Sequence, residues 1–422
     1  MLSRAVEVVV PARLGTGFRW LLASSWVSNL GDGIALAAGP LLVASQTHDP
    51  RLVALASLLQ WLPWLLFGLQ AGALADRLNR RLLVATVDLV RAGVLALLCV
   101  SIATGVVSVP VVLVALFLLG TTEVFADSAS QTLLPMLVHR DDLPIANARL
   151  QAGFITVNQL AGAPIGAALF AVGAVWAFAS QTVLVALGAL LILRLAVLTQ
   201  VRERSDTTRM RKDIAEGFSW VLHHAAVRTL VLTIFIFNLT FGAAWSVLVL
   251  YAQQRLHLGA VGFGLITTCS AVGGLVGTVS YGWISRHISL ADLMRIGLVI
   301  ETLTHLALAL TTNAFVALAI FTVFGAHAFI WMTTSQSVRQ RAVPAELQGR
   351  VGGVNMVGVY STLVVGSALG GSIAQRWGIT APFWFAFVGS AVFVVLIWGQ
   401  LRHIAHADEA EKAVGDAGSL EA

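Results

Sequence analysis

Three acidic residues lie inside apolar stretches of the sequence, at Asp32, Glu123 and Asp127. A carboxyl group held away from water can bind and release a proton near neutral pH, so these residues are candidates for proton coupling or for recognising a cation. Glu123 and Asp127 are one helical turn apart, which disfavours the ionisation of both together. Asp32 shares a helical face with Ser25 and Asn29, and its alternative role is a hydrogen-bond anchor between helices. The alternative for Asp127 is a solvated charge at a helix end.

A second set of polar residues combines imidazole, carboxylate and aromatic groups. Glu301 and His305 are four residues apart, and this spacing favours a structural hydrogen-bonded pair or, alternatively, a proton relay. His327 and Trp331 have the same spacing. An aromatic ring beside a polar group suits amphipathic or cationic organic molecules. The competing interpretation of His327 is a hydrogen bond between helices.

Several catalytic chemistries have no counterpart in the sequence. The two lysines, Lys212 and Lys412, do not follow glycine, so no phosphate-binding loop for ATP is present. The two cysteines, Cys99 and Cys269, lie inside apolar runs and show neither a disulfide framework nor metal-ligand spacing. We therefore expect no enzyme activity, no metal and no cofactor.

The elements that position these residues are membrane helices. Apolar runs of about 20 residues recur along the chain, each long enough to cross a bilayer. Of the 422 residues, 58% are hydrophobic and 11% are charged, whereas soluble domains carry about 25% charged residues. This excludes a soluble enzyme and a disordered chain. The formal net charge of +5 does not indicate a nucleic-acid partner, because the basic residues are scattered singly between apolar runs.

The hydropathy pattern predicts an all-α membrane protein with twelve spans, at 18–45, 52–75, 82–104, 109–134, 147–171, 174–198, 227–250, 258–284, 291–311, 314–335, 350–372 and 379–401. The predicted organisation is an N-terminal segment (1–17), a six-helix bundle (18–198), a central loop (199–226), a second six-helix bundle (227–401) and a tail (402–422). The later part of the central loop is expected to form an amphipathic helix on the membrane surface.

The distribution of basic residues predicts the orientation. With the N-terminus inside, the outward loops contain only Arg51, Arg255 and Arg376. Because positive charge favours the cytoplasmic side, both termini, the central loop and the tail are expected to be cytoplasmic.

The two predicted bundles resemble each other at steady offsets. Asn29 and Gly33 match Asn238 and Gly242 at an offset of 209. Two glycines of the fifth span also match two of the eleventh span at an offset of 204, namely Gly162 with Gly366 and Gly166 with Gly370. Two parallel six-helix repeats are the architecture of many secondary transporters, whose substrate site lies between the halves.

The segment between the second and third spans resembles a known loop motif. It reads Gly72-Ala-Leu-Ala-Asp76-Arg77-Leu-Asn-Arg80-Arg81, and it is similar to Gly-x-Leu-Ala-Asp-Arg-x-Gly-Arg-Arg of the major facilitator superfamily. On this motif the chain is identified as a member of that superfamily over essentially its full length. The resemblance implies the major facilitator fold, twelve transmembrane helices in two six-helix halves.

The same resemblance implies that the motif forms a conformational latch on the cytoplasmic side. Gly72 would allow close helix approach, and Asp76 would accept hydrogen bonds at a helix end. The arginines of the motif have a second explanation in membrane orientation. Arg91 is expected either to pair locally with Asp88 or to reach Asp76 as part of the latch.

Two further segments resemble those of exporters in this superfamily. Residues 133–148, LLPMLVHRDDLPIANA, are similar to a segment of the enterobactin-exporter-like and macrolide-efflux-like branch, which exports siderophores and drugs. The fifth span carries Gly162, Pro164 and Gly166 in a partial match to the antiporter signature Gly-x-x-x-Gly-Pro-x-x-Gly-Gly. Ala163 and Ala167 replace two of its glycines, and the alternative is ordinary close helix packing.

In this superfamily the first, fourth, seventh and tenth spans line a central cavity. The resemblance therefore implies five cavity-lining candidates, which are Asn29, Asn238, Trp245, His327 and Trp331.

These observations predict a secondary active transporter in a bacterial plasma membrane. The leading hypothesis is a proton-coupled exporter of small organic molecules, with the proton gradient as the energy source and no cofactor. The expected partners are the lipid bilayer and a small-molecule substrate, with no nucleic acid, and the expected functional form is a monomer. The alternatives are an importer or uniporter of the same fold, a membrane sensor or assembly partner without transport, and a membrane-embedded enzyme.

Overall fold

The computed structural model describes residues 12–195 and 207–400, and within these ranges the ordered elements are all helices. The first helices are α1 (Gly15–Gln46), α2 (Pro50–Arg77), α3 (Arg80–Ala103) and α4 (Val109–Leu137). Helix α5 combines α-helical Leu143–Gly153, π-helical Phe154–Gly162 and α-helical Ala163–Val172. Helix α6 is Ala174–Ile192.

The remaining helices follow the central loop. They are α7 (Thr207–His223), α8 (Ala225–Trp245), α9 (Leu248–Gln254), α10 (Ala260–His287), α11 (Leu290–Leu310), α12 (Ala314–Ala342), α13 (Gln348–Trp377) and α14 (Ala381–Ile397). Short 3₁₀ turns precede α1, α5 and α13, at Ala12–Leu14, Arg140–Asp142 and Ala345–Leu347.

Each of the twelve predicted spans corresponds to helical structure. Among the described residues, eleven helices are long and apolar enough to cross a membrane, and α14 is a shorter apolar helix of 17 residues. The seventh predicted span is interrupted, because α8 ends at Trp245 and α9 begins at Leu248. There the Ser246 hydroxyl donates a hydrogen bond to the Ala243 carbonyl oxygen at 2.9 Å and competes with the regular helix bonds.

Local sequence signals set many helix ends. Asn79 and Asn313 cap α3 and α12 by accepting backbone N–H bonds, as short polar side chains commonly do. Gly105 and Gly378 end α3 and α13 in the left-handed region, with φ of +73° and +91°. A residue without Cβ adopts that conformation without steric cost. These signals lie in the sequence itself, which explains why the predicted ends are close to the observed ones.

The central loop contains the expected helix. Residues 207–223 form α7, which packs on α13 within one compact unit of the protein. The Glu216 carboxylate accepts a hydrogen bond from Arg350 Nη1 at 2.8 Å, and Val221 is buried while Phe218 is exposed. The surface location of α7 stays a prediction. The predicted tail (402–422) and most of the N-terminal segment lie outside the described residues.

The outer surface of the helices is apolar. Large aliphatic and aromatic side chains such as Val172, Val279 and Phe315 are 79%, 84% and 83% exposed. Exposed apolar surface of this extent is unfavourable in water and is expected where lipid is the solvent.

The chain divides into two compact units. The first comprises Met1–Ser205 with His257–Thr268, and the second comprises Asp206–Leu256 with Cys269–Ala422. The predicted bundles placed all of α10 in the second half, whereas its first part groups with the first unit. The reason is close packing, since a Cβ at Gly264 would overlap Ala167 of α5. The predicted domain organisation, including the placement of α10, stays a prediction.

The internal repeat appears in the packing within each unit. In the first unit α1 crosses α5 so closely that a Cβ added at Gly33, Gly162 or Gly166 would collide with the facing helix backbone. In the second unit α8 crosses α13 in the same way, through the three matched glycines, which are Gly242, Gly366 and Gly370. Small residues permit such approach in membranes, where packing supplies much of the association energy.

Candidate functional site

The first cluster centres on Arg91, in the middle of α3. Its guanidinium donates hydrogen bonds to both carboxylate oxygens of Asp32 on α1. The Arg91 side chain is 6% exposed and that of Asp32 is 23% exposed. This inter-helix ion pair stands in place of the expected local pair with Asp88. The expected reach to Asp76 stays a prediction. A buried guanidinium needs a nearby carboxylate with good geometry, and α1 presents one.

Four carboxylates lie within electrostatic range of Arg91, and they belong to Asp32, Asp88, Glu123 and Asp127. Asp88 is buried, Glu123 is half-buried and Asp127 is exposed. The structure therefore brings the three predicted proton-coupling residues into one cluster in the first unit. One guanidinium cannot balance four ionised carboxylates, so the remaining charge requires protons or other cations.

Ser25 and Asn29, which precede Asp32 on α1, form hydrogen bonds with each other and with α5. Asn29 Nδ2 donates to the Ser25 carbonyl oxygen at 2.8 Å and to its hydroxyl at 3.2 Å. The Asn29 carbonyl oxygen accepts from Asn158 Nδ2 of α5 at 3.2 Å. The predicted shared face of Ser25 and Asn29 is therefore observed, and the pairing with Asn158 joins it to α5.

Two arginines of the loop motif contact other elements of the first unit. Arg80 donates to the Ala75 carbonyl oxygen at 3.2 Å and to the Met136 sulfur at 2.8 Å. Arg81 donates to the Leu195 carbonyl oxygen at 2.6 Å, and Arg77 is exposed. Arg80 thus links α3 to α2 and α4, and Arg81 links α3 to the segment after α6.

Two residues of the proposed latch, Gly72 and Asp76, make no contact that the described residues show. The side chain of Asp76 lies outside the described residues. A Cβ added at Gly72 would meet nothing within 4 Å in the described part of the chain. The expectation that Gly72 allows a close helix contact stays a prediction.

The antiporter-like segment of α5 has an unusual backbone. Phe154–Gly162 form a π-helix that ends two residues before Pro164. Proline has no N–H, and its ring crowds the preceding turn, so a wider turn before it relieves the clash. Gly162 and Gly166 lie at the close crossing with α1. The packing interpretation of this motif is thus observed.

The second cluster surrounds a cavity of about 260 Å³ in the second unit. Helices α8, α11 and α12 supply its walls. The nine lining residues are Phe237, Asn238, Phe241, Leu298, Glu301, Phe324, His327, Ala328 and Trp331. Three of the predicted cavity-lining residues, Asn238, His327 and Trp331, are among them.

A buried carboxylate lies at the wall of this cavity. Glu301 Oε2 is 3.1 Å from His327 Nε2, and Glu301 Oε1 is 3.4 Å from His305 Nε2. The His305 side chain is fully buried, and neither of its ring nitrogens makes a hydrogen bond. The sequence predicted a pair within α11, and the structure adds His327 from α12. His327 therefore makes the expected interhelical hydrogen bond and also lines the cavity.

Trp245 is not among the residues that line this cavity. Its ring stacks on Phe241 with a centroid distance of 4.3 Å and packs edge-to-face on His305 at 6.2 Å. Trp245 therefore packs against one residue of the cavity wall, Phe241, and against His305 behind the wall. Asn29, the remaining cavity candidate, belongs to the first unit.

The sequence interpretation missed the phenylalanines of the cavity. Phe241 lies three residues after Asn238, and Phe324 lies three residues before His327. Both phenylalanines therefore share a helical face with a residue that the sequence had already suggested, and this spacing could have identified them. Leu298 and Ala328 carry no such chemical signal, and only packing identifies them.

A metal site is not indicated by these groups. Among residues 12–195 and 207–400, no set of three or more histidine, cysteine, aspartate or glutamate residues has an arrangement able to hold a metal ion.

Comparison with known proteins gives one family over almost the full length. A family model described as transmembrane secretion effector matches residues 9–417. The multidrug efflux pump Tap of Mycolicibacterium fortuitum is 28% identical over 383 residues, covering 86% of this chain and 90% of Tap. The enterobactin exporter EntS of Citrobacter koseri is 23% identical over 401 residues, covering 91% of this chain and 92% of EntS.

Solved structures show the same fold. A bacterial homologue of the iron transporter ferroportin, crystallised in an inward-facing state, superposes with a TM-score of 0.70 at 16% identity. The superposition covers 91% of this chain and 98% of that one. At this identity the likeness establishes the fold alone.

Proposed function

Because the chain belongs to the transmembrane secretion effector family of the major facilitator superfamily, we propose that it is a proton-coupled exporter of small organic molecules. Membership makes it a multi-pass membrane protein and a secondary transporter. The proton coupling, the outward direction and the class of substrate are the proposal.

The observation that carries the proposal is the charge imbalance around Arg91. Four carboxylates share one guanidinium inside a helical unit with an apolar outer surface. Carboxylates at membrane depth are costly unless they are paired, protonated or wetted. Asp32 is already held by Arg91, so Asp88, Glu123 and Asp127 are the groups left to exchange protons, and Glu123 and Asp127 are the two that the sequence suggested. Uptake of a proton by Asp32 would also release its ion pair with Arg91 and loosen the link between α1 and α3.

The outward direction is supported by the relatives, since Tap is named as an efflux pump and EntS as an exporter. The Gly162, Pro164 and Gly166 segment of α5, similar to the antiporter signature, agrees with that direction. The proposal includes cytoplasmic termini, supported by the positions of the basic residues. It requires no cofactor beyond the proton gradient and treats a monomer as the functional form.

The test is accumulation of dyes, macrolides and catecholate siderophores in bacteria that lack their main efflux pumps. We expect cells expressing the intact chain to accumulate less of at least one compound, and a protonophore to remove the difference. Asp32→Asn and Glu123→Gln should abolish uphill export. Asp141→Asn is the matched control, because this carboxylate is 90% exposed and is not one of the four carboxylates near Arg91.

Two outcomes would contradict the proposal. Uphill export retained in the Asp32→Asn and Glu123→Gln variants would exclude the coupling role of this cluster. Higher accumulation in cells with the intact chain, sensitive to the protonophore, would identify an importer.

A further inference from the structure

The cavity of the second unit is independent of the Arg91 cluster, and its chemistry is selective. Its volume of about 260 Å³ approaches the lower end of the range for small-molecule sites, about 300–1,000 Å³. Four aromatic rings form most of the wall, from Phe237, Phe241, Phe324 and Trp331. The polar groups are Asn238, Glu301 and His327, and neither lysine nor arginine lines it.

The aromatic rings are arranged in pairs. Phe237 and Trp331 have ring centroids 6.5 Å apart, and Phe241 and Phe324 are stacked at 6.0 Å with an interplanar angle of 11°. Aromatic faces carry negative electrostatic potential, and several rings around a void attract ammonium or phosphonium centres. An anionic ligand would meet the same faces unfavourably.

Glu301 supplies the formal negative charge of the cavity wall. Its side chain is 10% exposed, and each oxygen faces one imidazole, that of His305 or that of His327. A carboxylate offers about four acceptor positions, so two remain for a ligand. The carboxylate brings negative charge into a wall of low dielectric, and a bound cation would neutralise it.

Asn238 is less available to a ligand, because its Nδ2 donates to the Ile234 carbonyl oxygen at 2.7 Å. That bond leaves the amide oxygen of Asn238 as an acceptor. An acceptor and a carboxylate, without a basic residue, favour a ligand that brings positive charge or donors.

We propose that this cavity binds the charged centre of a lipophilic organic cation, with Glu301 as its counter-ion and the four aromatic rings as its wall. His327 is a positioning residue, because its hydrogen bond holds the carboxylate, and His305 packs beside the other carboxylate oxygen at 3.4 Å. The assignment rests on the proposed function, because it names the class of substrate that the exporter would carry.

The experiment compares two ions of the same shape and opposite charge on the full-length purified protein. Tetraphenylphosphonium is the cationic probe and tetraphenylborate is the anionic probe, each titrated separately by calorimetry. We expect Glu301→Gln to weaken tetraphenylphosphonium binding at least tenfold and to leave tetraphenylborate binding unchanged or stronger. Trp331→Leu should weaken tetraphenylphosphonium binding about threefold to tenfold, as expected for loss of one cation–π partner.

The matched control is Asp292→Asn, which removes a carboxylate from the first turn of the same helix. Asp292 is exposed and pairs with Arg295 at 3.0 Å, away from the cavity. We expect tetraphenylphosphonium binding within twofold of wild type. Size-exclusion profiles establish folding, and if Glu301→Gln does not fold, Trp331→Leu and Phe241→Leu carry the test.

The assignment is overturned if Glu301→Gln binds tetraphenylphosphonium as well as wild type does, or if both probes weaken equally. For the fallback variants, unchanged tetraphenylphosphonium binding overturns it. Its failure is separable from that of the proposed function. Glu301-dependent binding without proton-driven export would leave the cavity assignment intact and refute the exporter. Proton-driven export together with tetraphenylphosphonium binding that does not depend on Glu301 would support the exporter and refute the cavity assignment.

Discussion

Replacing Arg91 by methionine removes the cation that faces four carboxylates in the first unit. Methionine fills a similar volume and keeps the buried position apolar. Breaking a buried ion pair from one side typically costs about 3–5 kcal/mol, because the remaining charge is left uncompensated. For folding units of this size the loss corresponds to roughly 6–20 °C in Tm.

Asp32→Asn is expected to cost less, although it breaks the same pair. Arg91 would still have Asp88, Glu123 and Asp127 within electrostatic range. The loss is therefore about 1–3 kcal/mol, the range for leaving a buried hydrogen-bonding group poorly satisfied. The double variant should lose less than the sum of the two single losses, since both remove one interaction.

The pH dependence has a definite sign. Above neutral pH more of the four carboxyl groups are ionised, so removal of Arg91 leaves more repulsion. At lower pH fewer of them are ionised, so the missing cation matters less. We expect the loss of stability in Arg91→Met to be larger at pH 8 than at pH 5.

The assay is thermal unfolding of detergent-purified protein, followed by intrinsic tryptophan fluorescence at both pH values. Arg91→Lys, which keeps the charge without the bidentate geometry, should fall between wild type and Arg91→Met. An Asp32→Asn variant less stable than Arg91→Met would refute the reasoning. So would an Arg91→Met loss that is the same at pH 5 and pH 8.

Other predictions concern packing and capping, and thermal unfolding measures each. Gly33→Ala should lower the free energy of unfolding by about 1–3 kcal/mol, because a Cβ at this position overlaps α5. Gly282→Ala should leave the stability unchanged, because a Cβ there meets no described atom within 4 Å. Equal losses in the two variants would contradict this reasoning. Tyr251→Phe should cost about 0.5–1.5 kcal/mol, since the buried hydroxyl donates to the Leu308 carbonyl oxygen at 2.6 Å, and an unchanged Tm would show that this bond adds nothing. Asn313→Ala should cost about 0.5–2 kcal/mol and Asn313→Gly less, because the side chain caps α12; the opposite order would refute the capping role.

The two units share a backbone pattern and differ in chemistry. In both, an asparagine donates to the carbonyl oxygen four residues earlier, Asn29 at 2.8 Å and Asn238 at 2.7 Å. Yet the first unit gathers carboxylates around a guanidinium, and the second gathers aromatic rings around a carboxylate and two imidazoles. The proposed coupling site and the proposed cation site thus occupy different repeats.

The sequence by itself determined the spans, most of their ends and the repeat. Apolar runs long enough to cross a bilayer leave the backbone no alternative to helix, and residues such as Asn79 and Gly105 stop helices through local geometry. Matched glycines such as Gly33 and Gly242 indicated the repeat, because close crossings exclude larger side chains.

Only the tertiary structure decided which polar groups meet. Arg91 had a candidate partner three residues away, and it binds Asp32 on another helix because the rotation of α1 and α3 brings those two side chains together. The aromatic cavity also depends on how α8, α11 and α12 are rotated against one another. Helical spacing fixes which residues share a face, but packing alone decides what that face touches.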